Sequence, residues 1–263
     1  MGMESRRYNV QMRRGGGGGF FVTPAIKYLL IANTAAFVGQ TVAGMIGGQG
    51  AINWIYRYLG LGVGSVIPGL NVWQPITYMF LHANLLHLLI NMLVLWMFGR
   101  DLERMWGARK FLNYYFACGV GAGLINVAAG YLPLFWGRQP SDIPTVGASG
   151  AIFGVLIANA VLFPDRPVWL IPFPVMLPMK IFVAIMGGIE FFSELSAPGD
   201  SISHICHLGG MLIGYIYLRR GSFFYGMRNT VSDWKRRRLK RRFDVYMRNR
   251  GGDPPSRPGR WVN

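Results

Sequence analysis

Charge is what this 263-residue chain has least of: Asp, Glu, Lys and Arg make up 14% of it, and acids number only 11. An average soluble domain carries about 25% charged residues. With 52% hydrophobic residues and a mean hydropathy of +0.29, the composition speaks against a soluble single domain. Cysteine is equally scarce. Cys118 and Cys206 both stand in apolar runs, so there is no disulfide framework and no sign of an oxidised secreted fold. Histidine occurs only four times.

What charge there is has one sign and sits at the ends. Residues 1–20 hold four Lys/Arg against one acid, residues 21–218 nine against seven, and residues 219–263 fourteen against three. A net charge of +16 cannot be held in a membrane core, and the distribution keeps it out. Residues 1–24, with Arg6, Arg7, Arg13, Arg14 and the run Gly15 to Gly19, read as a flexible basic leader. The apolar stretch from Ala25 to Ile46 is long enough to span a bilayer, unlike the core of a cleavable signal peptide.

Further apolar runs follow at about Tyr78 to Phe98, Phe111 to Leu132, Gly147 to Phe163, Met179 to Phe192 and His204 to Leu218. The expected fold class is therefore an all-α polytopic membrane protein with six transmembrane helices, a spanning domain over 25–218 and a basic tail over 219–263. The Pro-rich stretch Ile171 to Pro178 cannot be regular helix and suits the membrane interface. The Gly-broken segment Gly47 to Thr77, with Trp54, Tyr56, Tyr58 and Trp73, suits the headgroup zone or an ordinary outer loop.

Six spans place both termini on one side. Lys27, Arg100, Arg104, Arg109, Lys110, Arg166 and Lys180 fall on the side of the termini, against Arg57 and Arg138 on the other. Positive-inside counting makes that side cytoplasmic. Spans two, four and six then run inward in parallel from the outer face.

All four histidines lie at the outer ends of two of those spans: His82 and His87, with Asn91, in the second, and His204 and His207 in the sixth. Ionisable groups in a membrane are costly, so this placement points to function. His87 and Asn91, four apart, share a helix face, while His82 points elsewhere. The fourth span opens on Gly147-Ala148-Ser149-Gly150. Ser149 and His207 thus start parallel helices at similar depth, and the i, i+4 pairs Gly150/Gly154 and Gly210/Gly214 allow close backbone approach.

A serine hydroxyl becomes a useful nucleophile when a neutral imidazole takes its proton, the roles that Ser149 and His207 fit. His87, Asn91 and the Ser149 N–H can converge on an oxyanion. No carboxylate is placed beside His207, since Asp200 and Glu194 belong to the outer loop, so the expectation is a Ser-His dyad. Phe153, one turn after Ser149, stands where it can stack on the imidazole or simply pack.

His82-Ala-Asn-Leu-Leu-His87-Leu-Leu-Ile-Asn91, Gly147-Ala148-Ser149-Gly150 and His207-Leu-Gly-Gly210-Met-Leu-Ile-Gly214, in this order, resemble the motifs of the rhomboid family of intramembrane serine proteases. The resemblance covers about residues 25–218. It implies a six-helix rhomboid-like bundle with a water-filled cavity opening outward, in which Ser149 is the nucleophile, His207 the base and later acid, and His87 and Asn91 the oxyanion donors. It also implies an endopeptidase acting on transmembrane segments of single-span or other membrane-protein substrates, with no cofactor and no metal. Glu103 to Gly107 resembles a structural Glu-xxx-Gly stretch, and Glu194 to Ser203 a mobile cap over the site. His204 carries no catalytic role by this likeness.

Two other readings compete. A metal-dependent protease or transporter would use the histidines as ligands, but there is no HExxH and no acid beside them in the sequence. A catalytically inactive rhomboid-like binder of membrane helices would need neither Ser149 nor His207. The basic tail, with Lys235 to Arg242 beside Trp234 and Phe243, suits anionic lipid or simple solvation; no motif suggests nucleic acid. The expected location is a bacterial cytoplasmic membrane, both termini cytoplasmic.

Overall fold

A computed structural model describes residues 22–66, 69–132, 143–170, 175–196 and 203–220, with Phe135 and Gly137. Most of the basic leader and nearly all of the basic tail lie outside the described residues. Six long helices occupy the expected places: α1 (Pro24–Leu59), α2 (Leu85–Trp106), α3 (Ala108–Gly130), α4 (Ser149–Leu162), α5 (Met179–Ser196) and α6 over residues 204–220. By length and composition α1, α2 and α3 can each cross a bilayer, and α4 is a shorter apolar helix of 14 residues.

The exteriors of these helices are oily. Tyr28, Ile31, Met45 and Ile46 project outward from α1, Leu85, Leu86, Leu89, Ile90 and Leu93 from α2, and Ile181, Ile185, Ile189, Phe192 and Leu195 from α5. Exposed apolar surface on this scale fits contact with lipid. By contrast α4 is apolar all round and nine of its fourteen residues are buried, which makes it the central helix.

α1 begins at Thr23-Pro24, where the ring of Pro24 suits the first helical position. Thr23 forms no side-chain cap on its own helix; the buried Glu103 carboxylate does that work from α2, accepting from Ala25 N at 2.8 Å, Ile26 N at 3.0 Å and the Thr23 hydroxyl. An anion at a helix N-terminus satisfies otherwise unpaired N–H groups and meets the positive end of the dipole. Gly107, at φ 79°, ends α2 and begins α3 in a conformation that favours glycine. The structural role expected for Glu103 and Gly107 is thereby given its contacts.

Some element boundaries differ from expectation. α1 does not stop near Ile46 but bends at Gly48 (φ 59°) and continues to Leu59. The segment after it is held by side chains rather than loosely looped: buried Gln74 donates to Arg57 O at 2.9 Å and accepts from Ser65 Oγ at 2.6 Å, and Leu61 and Thr145 exchange backbone hydrogen bonds of 2.9 Å. α2 starts later than Tyr78, because Asn84 caps it by accepting from His87 N at 2.8 Å. His82 therefore precedes the helix. Between Leu95 and Gly99, α2 widens into a π-type turn, and Asn159 of α4 donates to the Phe98 carbonyl there at 3.1 Å. Of the Pro-rich stretch Ile171 to Pro178, residues 175–178 form a strand, Val175–Pro178, that pairs antiparallel with Pro167–Leu170 just before the stretch, and residues 171–174 lie outside the described residues. The described part is strand and not helix, as expected.

Asp101 near the end of α2 pairs with Arg166 after α4 at 2.5 Å, and Lys180 pairs with Asp165 at 2.7 Å. The ends of α2 and α4 and the start of α5 thus share one pole of the bundle, and α2 and α4 run parallel. Ser149 stands at the other pole.

Candidate active site

Glycine brings α4 and α6 together. A Cβ on Gly210 would overlap the Gly150 carbonyl oxygen, and one on Gly214 would come within 3.1 Å of the Gly154 Cα. Tyr114 of α3 fixes the same seam by donating to Gly154 O at 2.7 Å. Both glycine pairs named from the sequence therefore serve as contact points between backbones.

At this seam the Ser149 Oγ and His207 Nε2 are 2.7 Å apart, a hydrogen bond between residues 58 apart in sequence. Both side chains are half-buried, packed yet reachable. Phe153 lies flat on the His207 imidazole, ring centroids 4.5 Å apart and planes 14° from parallel. The ring is thus fixed from one face as well as by its nitrogens. Ser149 is the first residue of α4, so its N–H has no acceptor within the helix.

His87 approaches from α2. A Cβ on Gly147, whose φ of 129° favours glycine, would lie 2.8 Å from His87 Cε1, 2.9 Å from Nε2 and 3.6 Å from Ser149 Oγ. The absence of that Cβ lets the His87 edge sit beside the serine. Asn91, one turn along, is buried, and its side-chain Nδ2 has no hydrogen-bond partner among the described residues. An unpaired buried amide donor costs stability unless something else occupies it. His82 does not point away from this group: its ring meets that of His87 edge-on at 5.1 Å, because His82 sits in the turn before the helix and not on it. Its carbonyl accepts from Gln40 of α1 at 2.8 Å.

The expectation that no carboxylate stands beside His207 is wrong. Glu190, buried in α5, places Oε2 2.6 Å from His204 Nδ1 and 2.8 Å from His207 Nδ1. The first contact is a hydrogen bond; the second has the distance of an ion pair without hydrogen-bond alignment. Glu194 likewise belongs to α5, not to a loop. The signal was present, since Glu190 is an acid inside an apolar run of spanning length, which is costly unless partnered. Of the expected cap, Glu194 to Ser196 form the end of α5, Ser203 precedes α6, and residues 197–202 lie outside the described residues.

Glu190, His204 and His207 offer three ligand atoms within 4.8 Å of one another. Ligands of one tetrahedral zinc, each about 2.0–2.2 Å from the ion, stand roughly 3.4 Å apart. The carboxylate oxygen is nearer than that to both rings, at 2.6 and 2.8 Å, so the trio is drawn closer together than the ligands of one zinc. A cavity of about 570 Å³ lined by Asn53, Tyr56, Arg57, Val63 and Pro144 contains none of these residues.

Fold and site together define a polytopic helical membrane protein with a serine and an imidazole joined at one pole of its bundle. The Rhomboid domain model matches residues 69–221, more than half of the chain, and the chain belongs to the rhomboid family. It is 34% identical over 139 residues to Rhomboid protein 1, mitochondrial, of Saccharomyces cerevisiae, covering 52% of this chain and 38% of that one. It is 31% identical over 144 residues to Rhomboid protease GluP of Bacillus subtilis (54% and 25%) and 31% over 163 residues to Rhomboid-like protease 2 of Toxoplasma gondii (58% and 50%). The matched part is half or less of each of these relatives. The chain is an integral membrane protein of a family that includes proteases.

Proposed function

We propose that this chain is an intramembrane serine endopeptidase, and the observation that carries the reading is the 2.7 Å bond between Ser149 Oγ and His207 Nε2. His207 takes the hydroxyl proton as Oγ attacks a peptide carbonyl, and the carbonyl electron pair moves to oxygen. His87, the Asn91 amide and the Ser149 N–H are the donors that receive this oxyanion. The protonated imidazole then gives its proton to the departing amine, leaving an acyl-serine. Water, deprotonated by His207, attacks the ester and releases the second product, restoring serine. Phe153 keeps the imidazole in the plane that serves both transfers.

The substrate is a single-span or other membrane protein whose scissile bond leaves its helix near the outer pole, where Ser149 lies. The six helices cross the bilayer with both termini cytoplasmic; the cations Arg100, Arg104, Arg166 and Lys180, clustered at the opposite pole, support this orientation. The compact six-span frame supports a bacterial cytoplasmic membrane, and the basic tail suits anionic lipid beneath it. An inactive helix binder would have no need of a bonded serine and histidine. Incubation with a fluorophosphonate, followed by mass spectrometry, is expected to give a single phosphonylated residue, Ser149, with labelling abolished in His207→Ala. Cleavage lost to a chelator and restored by zinc would instead favour metal chemistry.

A further inference from the structure

Glu190 has no part in the proposed mechanism and yet is the group best placed to influence it. α5 presents isoleucine, phenylalanine and leucine outward, while its one buried acid, 7% exposed, turns toward α6. An isolated carboxylate there would be strongly destabilising, so its retention calls for partners. Two are present. His204 and His207 are three apart on α6 and share a face, and the Nδ1 of each lies within 2.8 Å of the same oxygen, Glu190 Oε2, that of His204 in a hydrogen bond. The 2.6 Å bond from His204 holds that oxygen in place. His207 Nδ1 stands 2.8 Å from it, and the other nitrogen of the same ring bonds Ser149 Oγ.

We propose that Glu190 is a positioning residue for His207, making the arrangement a Ser149–His207–Glu190 triad with His204 as the anchor of its carboxylate. The inference rests on the serine-protease reading above. A carboxylate at Nδ1 keeps the proton on that nitrogen, which leaves the Nε2 lone pair facing Oγ. When Nε2 takes the serine proton, the ring becomes a cation and the carboxylate stabilises it without accepting the proton. A small rotation of the imidazole about its Cβ aligns Nδ1–H with Oε2 as the charge develops. His204 matters because one oxygen serves both rings: removing it frees the carboxylate to swing away from His207.

The test uses the full-length protein in proteoliposomes and reports rates per folded molecule, with a fluorogenic transmembrane peptide as substrate and a fluorophosphonate as a second reporter. Glu190→Gln preserves shape and removes the charge. It is expected to lower kcat by about 30-fold or more and the phosphonylation rate by a similar factor, with KM within threefold of the parent. A soluble triad loses about 10,000-fold in the equivalent change; the smaller figure allows for the Phe153 stack, which orients the ring independently. Glu190→Asp should fall between Gln and the parent, and His204→Asn should lower both rates less than Glu190→Gln does. Rates in Glu190→Gln within twofold of the parent would overturn the proposal. So would a fall in peptide cleavage with phosphonylation unchanged, which would make Glu190 a residue that shapes α5 for substrate entry. Ser149→Ala serves as the control: if it cleaves as well as the parent, the serine-protease reading itself fails, whereas an inactive Ser149→Ala beside a fully active Glu190→Gln removes only the triad.

Discussion

Around Ser149 each residue contributes one geometric condition, and each can be withdrawn separately. The Asn91 amide is buried without a partner among the described residues, which is how a donor waiting for a transient oxyanion should look. Asn91→Ala is expected to lower kcat by about 100- to 1000-fold, the usual effect of losing one oxyanion donor, with little change in the unfolding temperature. Steady-state kinetics together with thermal unfolding checks both halves. Phe153→Leu keeps an apolar side chain but removes the flat ring from His207, so it should reduce kcat by about tenfold while leaving KM nearly unchanged; a rise in KM alone would assign Phe153 to substrate contact.

At this scale the sequence was most legible. Ser149, His207, His87 and Asn91 stand out because ionisable and polar side chains are rare in an apolar chain, and the structure places Ser149 against His207, with His87 beside Gly147. Glu190 escaped because it comes from a different helix with no motif spacing to either histidine. Helical spacing points His82 away from the group, but His82 stands before the helix begins at Leu85. Periodicity predicts shared faces only within an element.

Helices are brought together by residues that look passive in the sequence. Gly150 and Gly210 touch backbone to backbone, so the Ser149–His207 bond depends on a contact in which neither partner tolerates a methyl group. Gly210→Val is expected to destabilise the bundle by about 2–3 kcal/mol or more through overpacking and to reduce activity further by parting the two helices. Equilibrium unfolding in mixed micelles, paired with the fluorophosphonate rate, separates those effects. Gly188 of α5, beside which a Cβ would meet nothing within 4 Å, provides the matched control: Gly188→Ala should change neither.

Element types were legible from apolar length, and element boundaries were not. The bend at Gly48 is a single-residue decision that leaves the hydrophobicity of the chain unbroken, so composition could not reveal that helix continues to Leu59. The start of α2 was set by one asparagine cap, and that of α1 by a carboxylate 78 residues away. Local sequence contains the first of these signals but not the second, which depends on tertiary contact.

The whole molecule is organised by charge and oil. Its exterior is lined with isoleucine, leucine and aromatic side chains, and Arg100, Arg104, Arg166 and Lys180 collect at the pole where Asp101 meets Arg166, while Arg57 stands on the other side. If that pole is cytoplasmic, single cysteines placed at Arg104 and Asn53 in a background with Cys118 and Cys206 replaced by alanine will behave oppositely toward an impermeant maleimide. In sealed right-side-out vesicles Asn53→Cys should label and Arg104→Cys should label only after permeabilisation. The reverse pattern would invert the orientation. The apolar composition and the basic ends indicated a membrane protein before any geometry was known; that the poles carry opposite duties, cations at one and the serine at the other, required the bundle.

The central claim is that the bonded Ser149 and His207 cut peptide bonds inside a bilayer. Its most direct test is cleavage of a single-span model substrate co-reconstituted in liposomes, followed by mass spectrometry of the products, for the parent chain, Ser149→Ala and His207→Ala. The parent should make one cut in or near the substrate's membrane segment, and both variants should lose at least about 1000-fold in rate. Equal cleavage by all three would contradict the claim.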